Sequence, residues 1–331
     1  MTRILVTNWV HDDVRRRLEK LGEVDANSTR SPYSRQEILR RARDADAVIA
    51  FMNDSVDTEF VASCPRLKIV ACALKGADNF DAAACAAAGV WLSIVPDLLT
   101  EPTAELAVGL VIALGRELRA GDALVRSGDF NGWRPILYGT GLDQSTVAIV
   151  GMGSVGRAIA RRLAGFGCRM LGVDPAGVMP PGVERSELGR ALTAADFVIL
   201  AAPLIACTRH LIDKAALAVV RRGALLINVG RGSVVDENAV ADALETGALG
   251  GYAADVFEFE DWALPDRPIV VDPRLRANPR TIFTPHLGSA VERVRREIAM
   301  RAADNVADVL DGRAPRDAAN GPLPGGLRAA G

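Results

Sequence analysis

The chain has 331 residues, of which 49% are hydrophobic and 24% charged, and its net charge is -2. This length and composition predict a globular protein of about two domains. The near-neutral charge, without a long basic run, argues against a nucleic acid or a membrane surface as its general partner.

The cysteines and the apolar segments exclude further classes. The five cysteines at positions 64, 72, 85, 168 and 207 lack disulfide and metal-ligand spacing, so we expect packed, reduced thiols and no metal site. The sequence contains neither an export signal nor an uncharged run of about 18 apolar residues. We therefore expect a cytoplasmic protein.

Short apolar runs alternate with helical patterns along the chain, which predicts repeated βαβ units. The runs RILVTN, ADAVIAF, LKIVACAL and GVWLSIV predict a first, mostly parallel sheet. A single long helix of about 35 to 40 Å is predicted from Pro102, over PTAELAVGLVIALGRELRAGDALVRSG. A second sheet is predicted from STVAIVGMG, RMLGVD, DFVILAAP, ALLINVG, GGYAADVF and TIFTPH, before a final helix at 289–311.

These elements predict an α/β fold of two doubly wound domains. Residues 97–288 form a Rossmann dinucleotide-binding domain, and residues 1–96 and 289–331 form a discontinuous, flavodoxin-like domain if the final helix packs on the first sheet. The two domains are then joined by two crossovers. The Gly- and Pro-rich tail NGPLPGGLRAAG is expected to fray or to lie over a surface.

The stretch VAIVGMGSVGRAIARRLAGFG places Gly151, Gly153 and Gly156 in GxGxxG spacing between a strand and a helix. The first glycine permits a tight turn, the second lets a pyrophosphate approach the backbone, and the third allows close helix-to-strand packing. The helix N-terminus attracts the phosphates. A structural glycine-rich turn is the alternative.

Asp174 ends the next predicted strand and is suited to accept hydrogen bonds from an adenosine ribose. Its charge repels a 2′-phosphate, and Pro175 rather than an arginine follows it. We therefore predict NAD rather than NADP as the cofactor. The other residues assigned to the cofactor site are Ser154, Val155, Pro203 and Asp255.

Three loops after predicted strands supply charged groups for chemistry beside a nicotinamide. Arg231 in NVGRGSVVDE is suited to hold an anion. His286 in FTPHLGSAVERVR is the best acid-base candidate among three histidines, and Glu258 or Glu260 in YAADVFEFEDW is suited to fix its tautomer. Ser289 and Glu292 have the spacing of a capping box. A surface arginine, a histidine that satisfies a turn and a solvated acidic loop remain the alternatives.

The motifs GMGSVG, NVGRGSVVDE, DVFEFED and TPHLGS, in this order and spacing, resemble the NAD-dependent D-2-hydroxyacid dehydrogenase superfamily over nearly the whole chain. The resemblance implies that Arg231 holds the substrate anion, that Glu260 supports His286, and that His286 is catalytic. It also implies a discontinuous substrate domain and a homodimer. The formate dehydrogenases of the superfamily pair the histidine with Gln, so Glu260 disfavours that branch.

Within the superfamily, five stretches resemble the branch that oxidises phosphite to phosphate: EILRRARDADAVIAFM, VACALKGADNFD, WLSIVPDLLTEPTAELAVGL, YGTGLD and GYAADVFEFEDWALPDRP. The loop after Asp174 is shorter than in that branch. Phosphite carries close to two negative charges, so a second cation beside Arg231 lowers the cost of desolvating it. Lys75, at the end of KIVACAL, is predicted to be that cation, although a surface lysine is the alternative.

The resemblance adds further substrate-pocket residues: Met52, Gly76, Trp133, Tyr138, Ser289 and Arg295. For Met52 the alternative is a side chain that only fills a gap in the packing. Trp133 and Tyr138 are placed where they could reach the cleft of a neighbouring subunit. The main rival function is a D-2-hydroxyacid dehydrogenase or glyoxylate reductase. A rival of another class is an NAD-sensing corepressor or scaffold, related to C-terminal-binding proteins.

Overall fold

The computed structural model describes residues 1–321. It divides into two compact units. Unit 1 comprises Met1–Leu99, Trp262–Pro265 and the described residues from Val291 onward, and unit 2 comprises Thr100–Asp261 and Asp266–Ala290. The sequence did not indicate that residues 262–265 would group with unit 1. The predicted fold class, α/β with parallel sheets and a Rossmann domain, is confirmed.

Unit 1 is built on five parallel strands in the order β2-β1-β3-β4-β5, which is the flavodoxin-like order. The strands are β1 (Arg3–Val6), β2 (Glu23–Ala26), β3 (Ala47–Ala50), β4 (Ile69–Cys72) and β5 (Trp91–Ser93). The helices are α1 (Asp12–Glu19), α2 (Arg35–Ala42), α3 (Thr58–Ser63), α4 (Ala82–Ala87) and α12 (Glu292–Leu310). Apolar residues of α1 and α12 pack on one face of the sheet, and those of α2, α3 and α4 pack on the other. Burial on both faces explains why β3 and β4 are continuous apolar runs.

Residues 317–320 cover the outer edge of β5. Ser93 pairs with Ala318 in antiparallel fashion, and the N–H of Ala319 donates to Leu92 O at 2.7 Å. The Asn320 side chain accepts from Leu92 N and donates to Val90 O, both at 2.8 Å, and it is buried. The tail was predicted to fray or to lie over a surface, and its first residue, Asn320, lies against β5. The rest of that prediction, from residue 322, lies outside the described residues.

Unit 2 is built on seven parallel strands in the order β12-β11-β10-β9-β6-β7-β8, the doubly wound order with one strand added. The strands are β6 (Thr146–Val150), β7 (Arg169–Val173), β8 (Val183–Arg185), β9 (Phe197–Leu200), β10 (Ala224–Asn228), β11 (Leu249–Ala254) and β12 (Thr281–Phe283). The helices are α5 (Thr100–Gly115), α6 (Leu118–Arg126), α7 (Ser154–Leu163), α8 (Leu188–Ala194), α9 (Lys214–Val219), α10 (Glu237–Glu245) and α11 (Pro273–Ala277). Apolar residues of α5 and α7 cover one face, and those of α8, α9 and α10 cover the other.

The prediction of one long helix from Pro102 was wrong, because the chain forms two helices, α5 and α6. Glu117 has a left-handed backbone, with φ of 52°, and this breaks the helical path between them. Helix α5 is largely buried, whereas α6 has no buried residue. The break lets α5 pack on the sheet while α6 leaves it.

Large apolar side chains are exposed on α6 and on the segment after it. We call residues 118–138 the apolar arm; its exposed members are Leu118, Val125, Phe130, Trp133, Ile136, Leu137 and Tyr138.

None of the helices in the described part of the chain has the length and apolarity needed to cross a membrane. Three of the five cysteines are buried, but Cys207 is exposed, contrary to the expectation of packed thiols.

Candidate active site

The glycine-rich loop joins β6 to α7 in a form that fits a dinucleotide. Gly151 has φ of +92°, and a side chain on Gly156 would overlap the carbonyl oxygen of Gly151. A side chain on Gly153 would instead point into open space, where a pyrophosphate can approach the backbone. Gly153 is the N-cap of α7, so no side chain caps this helix end. Ser154 and Val155 form its first turn, and Pro203 lies after the neighbouring strand β9.

The carboxylate of Asp174, after β7, accepts three backbone N–H groups. Their nitrogens belong to Met152 at 2.8 Å, Ala176 at 2.9 Å and Gly177 at 2.5 Å. Partial burial opposes ionisation, but these donors outweigh it and hold the pKa of Asp174 below its usual value. A carboxylate has about four acceptor positions, so one remains for a ribose hydroxyl.

Arg185 on β8 lies beside Asp174 and was missed by the sequence reasoning. Its guanidinium donates to Asp174 O at 2.6 Å and to Gly177 O at 2.5 Å. The local sequence carries no signal for this contact, because it depends on the pairing of β7 with β8. The positive charge of Arg185 on β8 therefore lies beside the Asp174 loop, from which a 2′-phosphate was expected to be repelled.

His286 and Glu260 form a hydrogen-bonded pair at the carboxyl ends of β12 and β11. The distance from His286 Nδ1 to Glu260 Oε2 is 2.7 Å, and the Phe257 N–H donates to Glu260 Oε1 at 2.9 Å. Both side chains are mostly buried. Because Nδ1 faces a carboxylate, we assign the ring proton to Nδ1, which leaves Nε2 to exchange a proton with a substrate.

Asp255 anchors the loop that carries His286. Its carboxylate accepts from Thr284 Oγ1 at 2.6 Å, Leu287 N at 2.6 Å and Gly288 N at 2.8 Å. Burial raises the pKa of Asp255, and these hydrogen bonds oppose the rise. Asp255 was predicted to bind the cofactor; that role stays a prediction, whereas its contacts here are with the loop.

Arg231 lies after β10, at the same sheet edge as the pair, because β10, β11 and β12 are neighbours. Its carbonyl oxygen accepts from the Asn228 side chain at 2.9 Å, and its own Nη1 donates to Gly230 O at 2.9 Å. Arg231 is half-buried. Unit 2 therefore carries Arg231, which is predicted to hold an anion, and a histidine–carboxylate pair at one edge of one sheet.

The predicted capping box at Ser289 and Glu292 was wrong. Helix α12 begins at Glu292, its N-cap is Val291, and no side chain caps it. The Ala290 N–H donates to Leu287 O, so residues 287–290 form a turn before the helix begins. Glu292 instead faces His11, with Oε1 3.3 Å from Nε2. Ser289 is buried, and its role toward a substrate stays a prediction.

In unit 1, the predicted substrate residues gather near the carboxyl ends of adjacent strands. Met52 follows β3, Lys75 and Gly76 follow β4, and all three are half-buried. Arg295, on α12, lies with Nη2 3.8 Å from the Met52 sulfur.

The Met52 loop is held by Asp54, which the sequence reasoning missed. Its carboxylate accepts from Thr7 Oγ1 and, at 2.7 Å, from Phe51 N. Burial raises the pKa of Asp54 to about 6. This buried carboxyl fixes the end of β3 against β1.

Trp133 and Tyr138 are not brought to the Arg231 edge of unit 2. Trp133 is 80% exposed. Tyr138 lines a cavity of about 240 Å³ together with Gly223, Leu225 and Arg280, at the amino ends of the strands. Their contribution to a neighbouring subunit's cleft stays a prediction.

Known proteins resemble this chain in sequence and in fold. The family described as "D-isomer specific 2-hydroxyacid dehydrogenase, NAD binding domain" matches residues 108–288. A glyoxylate reductase of Thermococcus litoralis is 32% identical over 96% of both chains, and one of Korarchaeum cryptofilum is 34% identical over 96% of both. The crystal structure of the TT0316 protein from Thermus thermophilus superposes with a TM-score of 0.88 at 33% identity, over 96% of this chain and 100% of that chain.

Proposed function

The chain belongs to the D-isomer specific 2-hydroxyacid dehydrogenase family of NAD-dependent oxidoreductases, and on that premise we propose that it oxidises phosphite to phosphate. The observation that carries the proposal is the His286–Glu260 pair, at the same sheet edge as Arg231. In this proposal His286 is the base and Arg231 is the cation. Both lie at the carboxyl ends of the strands, which is also the edge of the sheet that carries the dinucleotide loop.

The proposed reaction balances with water as the second reactant. The P–H bond breaks, and its electron pair leaves with the hydrogen as hydride, which NAD accepts when bound. A P–O bond forms from water, and Nε2 of His286 takes the proton that this water loses. Glu260 holds His286 in the correct tautomer and stabilises the imidazolium that results. Arg231 orients the anion through its guanidinium.

Charge on unit 1 supports phosphite over a hydroxy acid. A 2-hydroxy acid brings one carboxylate, whereas phosphite is close to a dianion and needs further cations when it leaves water. Lys75 after β4 and Arg295 beside Met52 are the residues that we assign to this need.

Glyoxylate reduction is the second candidate, because the relatives named above are glyoxylate reductases. In that reaction the protonated His286 gives its proton to the carbonyl oxygen as the carbon receives hydride. Their identity of 32 to 34% leaves about two thirds of the positions different, so their substrate does not transfer to this chain by likeness alone.

One set of assays separates the candidates. Purified protein with NAD is given phosphite, D-lactate or D-glycerate and watched for NADH formation, and with NADH it is given glyoxylate or hydroxypyruvate. We expect kcat/KM for phosphite to exceed that for every other substrate. A higher value for glyoxylate assigns the second candidate. NADH binding without turnover of any of them assigns a sensor or scaffold.

We also propose that the chain acts as a homodimer through the apolar arm. An exposed apolar patch of this kind marks an interaction surface. Light scattering during gel filtration should give twice the chain mass, and Leu118→Glu with Val125→Glu should give the monomer. A monomeric wild-type chain overturns this proposal.

A further inference from the structure

A second histidine–carboxylate pair lies beside the proposed catalytic one. His210 Nε2 is 2.5 Å from Glu258 Oε1, and Glu258 shares a short 3-10 helix with Glu260. The Glu258 side chain is 8% exposed and that of His210 is 37% exposed. Burial raises the pKa of Glu258, and the bond to His210 opposes that rise. A buried carboxylate of this kind is costly unless it is bonded, so its location requires a partner.

The pair lies where two turns meet. We call residues 231–234 the Arg231 turn and residues 257–261 the Glu260 turn. A side chain on Gly232 would overlap the backbone of Phe257 and Glu258, so the two turns touch backbone to backbone. The Ser233 N–H also donates to the Asp261 carboxylate at 2.7 Å.

His210 connects both turns from a third segment, the loop between β9 and α9. Its backbone N–H donates to Ser233 O at 2.7 Å, in the Arg231 turn. Its imidazole reaches Glu258, in the Glu260 turn. His210 has a left-handed backbone, with φ of 50°, which is uncommon for a residue other than glycine.

Glu258 is fixed from its other side as well. Its N–H donates to Glu237 Oε1 at 3.0 Å, and Glu237 lies in the first turn of α10. The Glu258 carboxylate is hydrogen-bonded to the His210 imidazole, and the Glu237 carboxyl group accepts from the Glu258 peptide N–H. Glu258 is thereby attached to two neighbouring segments, through its carboxylate and through its peptide N–H.

We propose that His210 is a positioning residue, which acts through Glu258 to set the distance between Glu260 and His286 and to keep Arg231 in register with them. Glu260 has one oxygen on Phe257 N and the other on His286, so a small rotation of its turn lengthens the bond to His286. The inference rests on the proposed role of the His286–Glu260 pair. It holds for phosphite and glyoxylate alike, since both reactions use the same proton.

Two substitutions at position 210 separate the loss of the hydrogen bond to Glu258 from strain in the left-handed backbone. Asparagine tolerates the left-handed backbone but is too short to bond Glu258, whereas glutamine is long enough to donate to it. We expect His210→Asn to lower kcat about tenfold or more, as loss of near-attack geometry does, with NADH binding unchanged. His210→Gln should retain most of kcat. Arg209→Ala is the matched control, because it removes the exposed ion pair with Asp266 beside His210 and leaves the hydrogen bond between His210 and Glu258 in place.

The pH dependence of the histidine resonances provides a second measurement. If the role of His210 is purely structural, its substitution leaves the pH dependence of the His286 resonance unchanged. The chain has three histidines, so their Cε1–H resonances can be assigned by single substitution and titrated without substrate. The titratable groups facing His286 are Glu260 and Asp255. Those near His210 and Glu258 are Arg209, Asp236, Glu237, Tyr252 and Asp266.

We expect the pH dependence of the His286 Cε1–H resonance, and with it the midpoint, to differ from wild type in His210→Asn and in Glu260→Gln, and to match wild type in His210→Gln and Arg209→Ala. An unchanged midpoint and an unchanged kcat in His210→Asn overturn the proposal. A lower kcat with an unchanged His286 midpoint also overturns it, since His210 is then only structural. If phosphite is not turned over, the proposed function fails, while the resonance titration still decides the role of His210.

Discussion

Replacement of Glu260 by Gln tests the proton-transfer pair directly. Both carboxylate oxygens of Glu260 accept from an N–H group, one from Phe257 at 2.9 Å and one from His286 at 2.7 Å. An amide of the same shape has a single acceptor oxygen, so one of these two donors must lose its partner. If the oxygen stays on Phe257, the amide NH₂ faces Nδ1, and His286 must carry its proton on Nε2. If the oxygen faces His286 instead, the Glu260 turn loses the bond that fixes its start.

The magnitude follows from the two bonds. An unsatisfied, largely buried donor costs about 1 to 3 kcal/mol, and a hydrogen bond to a charged group is worth about 1.5 to 3 kcal/mol. At about 1.4 kcal/mol per decade, loss of the charge-assisted bond alone lowers kcat roughly ten- to a hundredfold. A wrong histidine tautomer adds to this, because Nε2 can no longer accept the proton. We therefore expect Glu260→Gln to lose about a hundredfold or more in kcat.

The assay is steady-state NADH formation with saturating NAD and varied phosphite, or the best substrate of the set above, with NADH binding followed by fluorescence. His286→Ala provides the lower limit of turnover, and Glu19→Gln, in the exposed ion pair with Arg15 on α1, provides the matched carboxylate-to-amide control. NADH binding should be equal in all variants. If Glu260→Gln keeps more than about a third of wild-type kcat, the reasoning is refuted, because catalysis then does not need Glu260 to fix the tautomer of His286.

Three further predictions concern charge at other positions. Lys75→Ala should raise the phosphite KM about ten- to a hundredfold, because it loses a charge-assisted hydrogen bond worth roughly 1.5 to 3 kcal/mol. Lys75→Arg should recover part of that loss. An unchanged KM in the alanine variant would identify Lys75 as a surface lysine. Asp174→Ala should narrow the ratio of kcat/KM for NAD over NADP, and equal use of both cofactors by the unmutated protein would contradict the assignment. Burial raises the pKa of Glu237 to about 8 from its usual 4.5. The unfolded state therefore loses this proton at a lower pH than the folded state does. As a result, the free energy of unfolding falls as pH rises between about 5 and 8. Glu237→Gln should remove up to about 1.4 kcal/mol of that fall per pH unit, measured as the free energy of unfolding in urea at both ends of the range, and the same pH dependence as wild type would count against it.

The sequence predicts those features that depend on neighbouring residues. The dinucleotide loop is one, because Gly151, Gly153 and Gly156 act within a single turn between adjacent elements. The apolar strands are another, since burial on both faces requires continuous hydrophobic runs. Strands β2 and β8 were missed because both lie at sheet edges, where EVDA and VER carry polar residues.

The features that were missed depend on residues distant in sequence. His210 and Glu258 are 48 positions apart, and nothing around His210 indicates that its imidazole would reach a turn after another strand. The break after α5 is similar, since Glu117 adopts a backbone that its own residue type does not favour. In both cases tertiary contacts override local preference, as is common where several loops meet at one site.

The segment 317–320 has a consequence for engineering and handling of the protein. An unpaired β-strand is a template on which another chain can add a strand, and this is a common route to aggregation. Here the backbone of β5 is already occupied by Ala318, Ala319 and the side chain of Asn320. A truncation after Asp317, which keeps the bonds of Asp317 to Arg301 and Asn305, would expose that template on every molecule and so favour strand addition between chains. Fusion partners and affinity tags at this end should therefore leave residues 317–320 in place on β5.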